Sequence, residues 1–270
     1  MTEAELPVQV MPLAQFIAGH PWRVGLMHDR NQDVLIWITR GQGKIVVNGV
    51  RRGLGAHNAL LLPKGTLFAL DLGPQSLAQV LVASPGTSAS LPRTPRHVRV
   101  RDVMAQAELT GALDAIHRER TQNRPMVATA LAAHLELIAV WLHRMAAAGY
   151  SDAPDQNAAH RLMGRFAALV VERYATGEVM ADYAHALDVT PTHLTRVSRS
   201  ACGISAADIL TQRRLYAARL MLGRPRPSIK DVAQALGFSS AAYFTRFVQQ
   251  HTGLSPTALR AGGTVRIGMR

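Results

Sequence analysis

The chain has 270 residues, a formal net charge of +12 and a single cysteine, Cys202. Its length fits two domains of ordinary size, and 48% apolar with 18% charged residues excludes global disorder. One cysteine excludes a disulfide framework and a cysteine-based zinc cage. The N-terminus has no basic segment followed by an apolar run, so we expect no secretory signal and predict a cytoplasmic protein.

The positive charge is concentrated in the C-terminal part of the chain. Residues 1–159 have a net charge of +3, whereas residues 160–270 have +9. Such an excess predicts an anionic partner for the C-terminal part. Arginine supplies 27 of the 30 positive charges, and arginine richness can also follow from genome composition. Charge by itself therefore leaves nucleic-acid binding open.

Short apolar segments between about residues 22 and 83 predict β-strands. They are rich in Val, Ile and Leu and lie at 34–38, 44–47, 59–62, 66–70 and 77–83. Asn48-Gly49 predicts a type I′ hairpin turn, because both central residues of that turn need a positive φ. Many short strands in close succession predict a small antiparallel barrel or sandwich.

Two helices are predicted to follow the strands, over about 103–118 and 125–148. Pro125 would occupy the first turn of the second helix, where proline is tolerated. That helix is very apolar, but His134 and Glu136 interrupt it, which argues against a membrane span. A helix that is apolar on most sides is either buried against the strands or forms a homodimer interface, and both interpretations stay open.

A first helix-turn-helix unit is predicted after a polar linker at 149–159. The pattern indicates helices at about 160–175, 179–187 and 191–201. Thr190 is a good N-cap for the last of these, and Pro191 sits at its first position. Two short helices joined by a tight turn are typical of the helix-turn-helix layout.

The same pattern then repeats. Ser228 and Asp231 have the spacing of a capping box, Gly237 stands at a helix end where positive φ is needed, and a further helix is predicted over 240–251. The helix over 205–222 that joins the units would be about 25 Å long, against about 34 Å for one turn of DNA. Recognition helices closer than one turn would require bent DNA.

Residues 162–260 resemble the AraC/XylS family of bacterial transcription regulators. The resemblance is carried by AHALDVTPTHLTR at 184–196, GIS at 203–205, RLYAARLML at 214–222, IKDVAQALGFSSAAYFTRF at 229–247 and GLSPTALR at 253–260. Val197-Ser198 departs from the family, which usually has an apolar residue followed by phenylalanine there. We expect this departure to loosen the packing of the first unit.

The resemblance implies that the second helix of each unit enters the major groove of DNA. The residues that match the family's base-facing positions are Thr192, Thr195, Arg196, Ser240, Ala241, Ala242, Tyr243 and Arg246. Phosphate contacts are predicted for Arg199, Ser239 and Thr245. For each arginine at a base-facing position, a phosphate contact or a solvated charge is the alternative.

Residues 15–85 resemble the cupin-like sensory domain that many of these regulators carry, through Gly41-x-Gly43, Asn48-Gly49 and Gly55-x7-Pro63-x-Gly65-x-x-Phe68. Phe68 stands where metal-binding cupins have a histidine, and His28 has no second histidine two residues on. We therefore predict no metal and no catalytic activity. Trp22, Trp37 and Phe68 are candidates to line an effector pocket, with an ordinary barrel core as the alternative.

The sequence thus predicts an α+β multidomain protein: a cupin-like antiparallel β-barrel with C-terminal helices for effector binding and dimerisation (1–148), the linker (149–159), an all-α AraC-type DNA-binding domain with two helix-turn-helix motifs (160–262) and a flexible tail (263–270). The expected partners are double-stranded promoter or operator DNA, a small-molecule effector, a second copy bound through the helix at 125–148, and RNA polymerase as a further candidate. We expect no cofactor and no membrane.

Three other interpretations of the sequence stay open. The N-terminal domain could serve only to dimerise or to bind a partner protein. The chain could be a metal-dependent cupin enzyme with an added helical domain, which bound metal would reveal. It could also be a non-specific DNA-packaging protein, although two distinct recognition helices favour sequence readout.

Overall fold

The computed structural model describes residues 6–122, 124–152 and 157–262, with strands concentrated before residue 100 and helices after it. The strands are β1 (Val8–Pro12), β2 (Asp33–Arg40), β3 (Gly43–Val47), β4 (Val50–Leu54), β5 (Asn58–Leu62), β6 (Phe68–Leu72), β7 (Leu77–Ala83) and β8 (Arg96–Arg99). Two short helices, α1 (Leu13–Phe16) and α2 (Trp22–Gly25), precede β2. The predicted α+β class is confirmed.

The longer helices occupy the rest of the described chain. They are α3 (Val103–Gln122), α4 (Val127–Ala147), α5 (Ala158–Arg173), α6 (Met180–Ala186), α7 (Pro191–Cys202), α8 (Ala206–Leu222), α9 (Ile229–Ala235), α10 (Ala241–Thr252) and α11 (Pro256–Arg260). The predicted helices of the C-terminal part agree with these bounds to within two residues, because capping side chains and left-handed residues mark most of their ends.

The strands form two antiparallel sheets. One has the order β1-β7-β2-β5-β8 and the other the order β4-β3-β6. Asn48 and Gly49, with φ of 48° and 76°, join β3 to β4, which confirms the predicted hairpin turn. Charged residues obscure the strand pattern of β4 (VRRGL) and β8 (RHVR), so the sequence did not predict these strands.

The larger sheet is buried on both faces. Val34, Ile36 and Ile38 of β2 point into a core that the smaller sheet covers. Leu35 and Trp37, which alternate with them, point into a second core that α3 and α4 cover. A strand buried on both faces has a continuous apolar sequence rather than an alternating one, as β2 does.

Helix α4 begins later than the sequence predicts. Met126 precedes the helix with a left-handed φ of 65°, so Pro125 lies outside the first turn and the predicted placement of that proline is wrong. The outer face of α4 leaves Leu137 61% and Val140 39% exposed. In the described chain, every helix is too short or too polar to cross a bilayer.

The start of the predicted linker is attached to the larger sheet. Arg99 N donates to Tyr150 O at 2.9 Å, and Asp152 N donates to His97 O at 2.9 Å. The Asp152 carboxylate also accepts from Arg52 at 2.6 Å and from Arg99. Burial lowers the pKa of His97 to about 4 despite this nearby carboxylate. Residues 153–156 of the predicted linker, and the predicted tail at 263–270, lie outside the described residues.

Candidate nucleic-acid interface and adjoining cavity

The first helix-turn-helix unit consists of α6 and α7. Asp188 takes a left-handed φ of 57° in the turn between them, a conformation that Asp tolerates better than most residues. Leu187, Leu194 and Val197 are buried between the two helices. Thr190 Oγ1 accepts a hydrogen bond of 3.1 Å from His193 N, which confirms the predicted N-cap of α7.

Ser198 is fully buried, although the family usually has phenylalanine at this position. Its hydroxyl donates to Ile204 O at 2.8 Å, and Cys202 Sγ lies 3.2 Å from Ser198 O. The polar side chain is therefore satisfied within the core, where an unpaired hydroxyl would be destabilising. Instead of leaving the unit loose, Ser198 ties α7 to the turn that precedes α8.

The outer face of α7 carries the side chains predicted to contact DNA. Thr192, Arg196 and Arg199 are exposed, and Thr195 is half-buried. Arg196 Nη2 lies 3.1 Å from His193 Nδ1 on the same helix. Within the described chain neither Arg196 nor Arg199 pairs with a carboxylate, so both guanidinium groups can reach an anionic partner.

The second unit, α9 and α10, repeats this arrangement. Val232, Leu236, Phe244 and Val248 are buried between its helices, and Gly237 turns the chain with φ of 73°. The predicted capping box at the start of α9 is present, with hydrogen bonds of 3.2 Å and 3.3 Å between its two residues. The two units thus have equivalent packing.

The side chains of α10 that are predicted to contact DNA differ in solvent exposure and in the hydrogen bonds that they already make. Ser239, Ala242, Tyr243 and Arg246 are exposed, and Ala241 is half-buried. Ser240 Oγ accepts from Tyr243 N at 3.1 Å as the N-cap, which leaves its hydrogen free to donate.

Thr245 is the least free of the residues predicted to contact phosphate. Its hydroxyl donates to Ala241 O at 2.8 Å, and its side chain is half-buried. Phosphate oxygens only accept hydrogen bonds, so Thr245 would have to release Ala241 O before it donated to a phosphate.

Comparison with known proteins identifies the C-terminal part. A family model described as "Helix-turn-helix domain" matches residues 183–262. The arabinose operon regulatory protein of Salmonella typhimurium is 32% identical over 83 residues, which are 31% of this chain and 30% of that protein. The C-terminal part of the chain therefore carries a DNA-binding domain of the AraC type. The predicted resemblance is confirmed, and the chain is an AraC-type DNA-binding transcription regulator.

Two other proteins can be aligned with a larger part of this AraC-type regulator. The Msm operon regulatory protein of Streptococcus mutans is 21% identical over 247 residues, which cover 86% of this chain and 84% of that protein. The structure of unsaturated fatty acid bound ToxT from Vibrio cholerae aligns with 99% of this chain and 100% of its own, at 14% identity and a TM-score of 0.45.

A cavity of about 870 Å³ lies where the strand-rich part of the regulator meets α8. It is lined by α1, α2, the ends of β6 and β7, and Gln212 of α8. Of the three predicted pocket residues, Trp22 lines this cavity. Trp37 points instead towards α3, where its Nε1 donates to Thr110 Oγ1 at 3.1 Å, and Phe68 is buried between the two sheets.

The cavity is mostly apolar with a few polar groups. Ser76 Oγ is buried and, among the described residues, has no hydrogen-bond partner. Gln79 also lines the cavity, but its Nε2 donates to Asp114 Oδ1 of α3 at 3.3 Å. Asp71 pairs with Lys44 at 3.2 Å. Within the described chain no lysine or arginine lines the cavity. The lining therefore suits an uncharged molecule that can form hydrogen bonds.

The strand-rich part also contacts α8 directly, through side chains for which the sequence predicted other roles or none. His28 stacks against Tyr216 with ring centroids 4.4 Å apart and contacts Phe68 at 4.1 Å. Burial lowers the pKa of His28 to about 3, so this residue is a neutral packing element. Arg219 lies 4.6 Å from the Trp22 ring centroid, and burial lowers its pKa to about 10.

No group of three or more His, Cys, Asp or Glu side chains within residues 6–122, 124–152 and 157–262 is placed to hold a metal ion. His28, which begins the broken cupin motif, directs Nδ1 to Leu26 O at 2.8 Å.

Proposed function

We propose that this regulator reads two adjacent major-groove segments of promoter or operator DNA, one with α7 and one with α10. The observation that supports this most directly is the presence of two equivalent units, each with an exposed arginine at the same place on its second helix. Arg196 and Arg246 are both exposed and, in the described chain, have no carboxylate partner. Arginine can bind O6 and N7 of guanine with two hydrogen bonds, and threonine or alanine methyls can contact the thymine methyl.

Bound DNA is expected to bend. Helix α8 joins the two units and has 17 residues, or about 25 Å of length. One turn of straight DNA is about 34 Å. If the recognition helices are closer together than one turn, both can dock only when the DNA curves towards the protein.

The experiment begins with genome-wide footprinting to find the bound sequence. Arg196→Ala and Arg246→Ala should then each weaken binding by about 1–3 kcal/mol and relax the preference at one base pair. Arg93→Ala is the matched control, since Arg93 is exposed on the strand-rich part and its loss removes the same charge. Unchanged affinity and base preference in both variants would refute base readout by these helices.

We further propose that a small-molecule effector binds in the cavity between the strand-rich part and α8. The supporting observations are its volume, its apolar lining and the unpartnered Ser76 Oγ. Gln212 also lines it, so a bound molecule would contact the helix that carries both DNA-binding units. An effector that fits better in one arrangement of α8 shifts the equilibrium towards that arrangement.

Thermal-shift screening with uncharged, hydrogen-bonding compounds tests for such an effector. Ser76→Ala should weaken a hit at least tenfold, whereas Ser90→Ala, at an exposed position outside the cavity lining, should not. By thermodynamic linkage, an effector that changes DNA affinity must bind DNA-free and DNA-bound protein differently. Equal effector affinity in the two states would exclude the coupling, and a persistent lack of hits would favour a domain that only dimerises or binds a partner protein.

We also propose a homodimer through α4. Leu137 and Val140 expose apolar surface on the outer face of this helix, and such surface favours association. Sedimentation of the wild type and of Leu137→Lys tests this proposal. A dimer that the substitution dissociates supports it, and a wild-type monomer at micromolar concentration contradicts it.

A further inference from the structure

The loop that precedes the first helix-turn-helix unit touches the second unit backbone to backbone, at a place away from the helix that joins the units. Gly177 lies in the loop between α5 and α6, before the first unit, and Gly237 is the turn residue inside the second. A Cβ placed on Gly237 would lie 2.3 Å from Gly177 N and 2.5 Å from Ala175 O. A Cβ on Gly177 would lie 2.8 Å from Gly237 O. Neither position has space for a side chain, and both have a positive φ.

The loop that carries Gly177 is itself held in place. We call residues 174–178 the brace segment. Arg214 of α8 donates from Nε to Tyr174 O at 2.7 Å and from Nη2 to Glu178 O at 2.9 Å. The guanidinium of Arg213 lies 3.6 Å from the centroid of the Tyr174 ring. Two adjacent arginines of the joining helix thus fix both ends of the segment that contacts the second unit.

Tyr174 also links the two hydrophobic cores. Its side chain packs against the core of the first unit and against the core of the second. Beside it, a cavity of about 510 Å³ separates Val179 and Met180 of the first unit from Phe238 and Phe247 of the second. Direct contact between the units at the brace segment is therefore concentrated at the glycine pair and at Tyr174.

Two separate points of attachment hold the second helix-turn-helix unit more rigidly than one. The second unit packs on α8 through Ala218 and Leu222, so α8 alone leaves it free only to tilt about that packed surface. The contact between Gly177 and Gly237 adds a second point of attachment, away from α8, and restricts that tilt. We infer that this glycine contact fixes the spacing between the two DNA segments that the regulator recognises. The inference rests on the proposed function, in which α7 and α10 each read one segment.

Fixed spacing has a clear consequence for DNA binding. Inserting one base pair between the segments moves one of them by about 3.4 Å and rotates it by about one tenth of a turn. A rigid pair of units cannot follow this change, whereas a hinged pair can. Alanine at either glycine must push the backbones apart, because the atoms in the way belong to the main chain. The unit positions, and with them the preferred spacing, should then change.

The test measures binding of the full chain to four duplexes: the footprinted site, the same site with one base pair added or removed between the segments, and the site with one segment scrambled. Wild-type protein should bind the lengthened and shortened duplexes no better than the scrambled one. Gly177→Ala and Gly237→Ala should bind the natural site at least tenfold more weakly, with unchanged affinity for the scrambled duplex.

Gly253→Ala is the matched control. Gly253 ends α10 with the same φ as Gly237, 73°, but a Cβ there would meet no atom within 4 Å. The Gly253→Ala substitution places alanine at the same positive φ but causes no clash with neighbouring backbone atoms. We therefore expect its affinity for the natural site to stay within twofold of wild type. Should the glycine variants fail to fold, Arg214→Met removes the hydrogen bonds that hold the brace segment and should broaden the accepted spacing.

The possible results separate the inference from the proposed function. Equal wild-type binding to all three spacings, or natural-site affinity within twofold in both glycine variants, overturns the inference while leaving two-segment recognition intact. Wild-type binding that is as tight to the scrambled duplex as to the natural site overturns the proposed function instead.

Discussion

Arg213 Nε donates a hydrogen bond of 2.7 Å to Asp29 Oδ1, and this ion pair joins α8 to the strand-rich part of the chain. Both side chains are largely buried, with 8% and 18% of their surface exposed. The neighbouring residues of α8 face other structures: Gln212 lines the proposed effector cavity, and Arg214 holds the brace segment. One turn of a helix therefore contacts the cavity, the strand-rich part and the link between the DNA-binding units.

Loss of the Asp29 charge should destabilise the protein. Asp29→Asn leaves the buried Arg213 guanidinium without its counter-charge, and breaking a buried pair in this way typically costs about 3–5 kcal/mol. Because Asn retains an acceptor oxygen and the pair is not fully buried, we expect the lower end, about 3 kcal/mol, in the free energy of urea unfolding. Glu172→Gln is the control: it removes an exposed pair with Arg173, for which we expect less than about 1 kcal/mol. Equal losses in the two variants would show that the Asp29 pair is not structurally important.

Stability should fall on acidification because of His28. Its pKa is about 3 in the folded chain and about 6.5 when unfolded, so the unfolded state binds the extra proton first. The free energy of unfolding then decreases as the pH falls from about 6.5 towards 3, by about 2 kcal/mol between pH 6.5 and pH 5. His28→Phe keeps an aromatic ring between Phe68 and Tyr216 and should remove that share of the pH dependence. Urea unfolding of the wild type and of His28→Phe at the two pH values makes the comparison, and an unchanged pH dependence in the variant would contradict the prediction.

The hydroxyl of Ser198 should contribute to the stability of the first unit. Ser198→Ala removes the hydrogen bond to Ile204 O inside the core, and such a loss costs about 1 kcal/mol. Ser200→Ala is the control, since Ser200 is exposed on the same helix. Thermal unfolding of the two variants should differ by a few degrees. Ser198→Phe, which restores the family's usual residue, should destabilise the unit rather than tighten it, because the site is already filled.

The features that the sequence predicted well depend on residues close together in the chain. Capping boxes, Thr190 and Gly237 lie within a few residues of the turns they control, so the second half of the chain could be predicted almost residue by residue. Trp37 was misplaced because β2 is apolar throughout, and an unbroken apolar run does not show which face each residue takes. The contacts of His28, Asp29 and Gly177 join residues that are distant in sequence, and no periodicity marks them. The cavity next to α8 depends on the same long-range packing.

The last prediction separates phosphate contacts from base contacts by their dependence on salt. Binding to DNA releases condensed counterions, so the logarithm of the affinity falls linearly with the logarithm of the salt concentration, with a slope of about −0.9 for each neutralised phosphate. Arg199 is exposed on α7, and we predict that it contacts phosphate. Arg199→Ala should weaken binding to the footprinted site and to unrelated duplexes alike, and should reduce the slope by about one unit. Arg196→Ala should instead lose affinity mainly for the footprinted site. Fluorescence anisotropy titrations at several salt concentrations measure both effects, and an unchanged slope together with a changed base preference in Arg199→Ala would assign Arg199 to base readout.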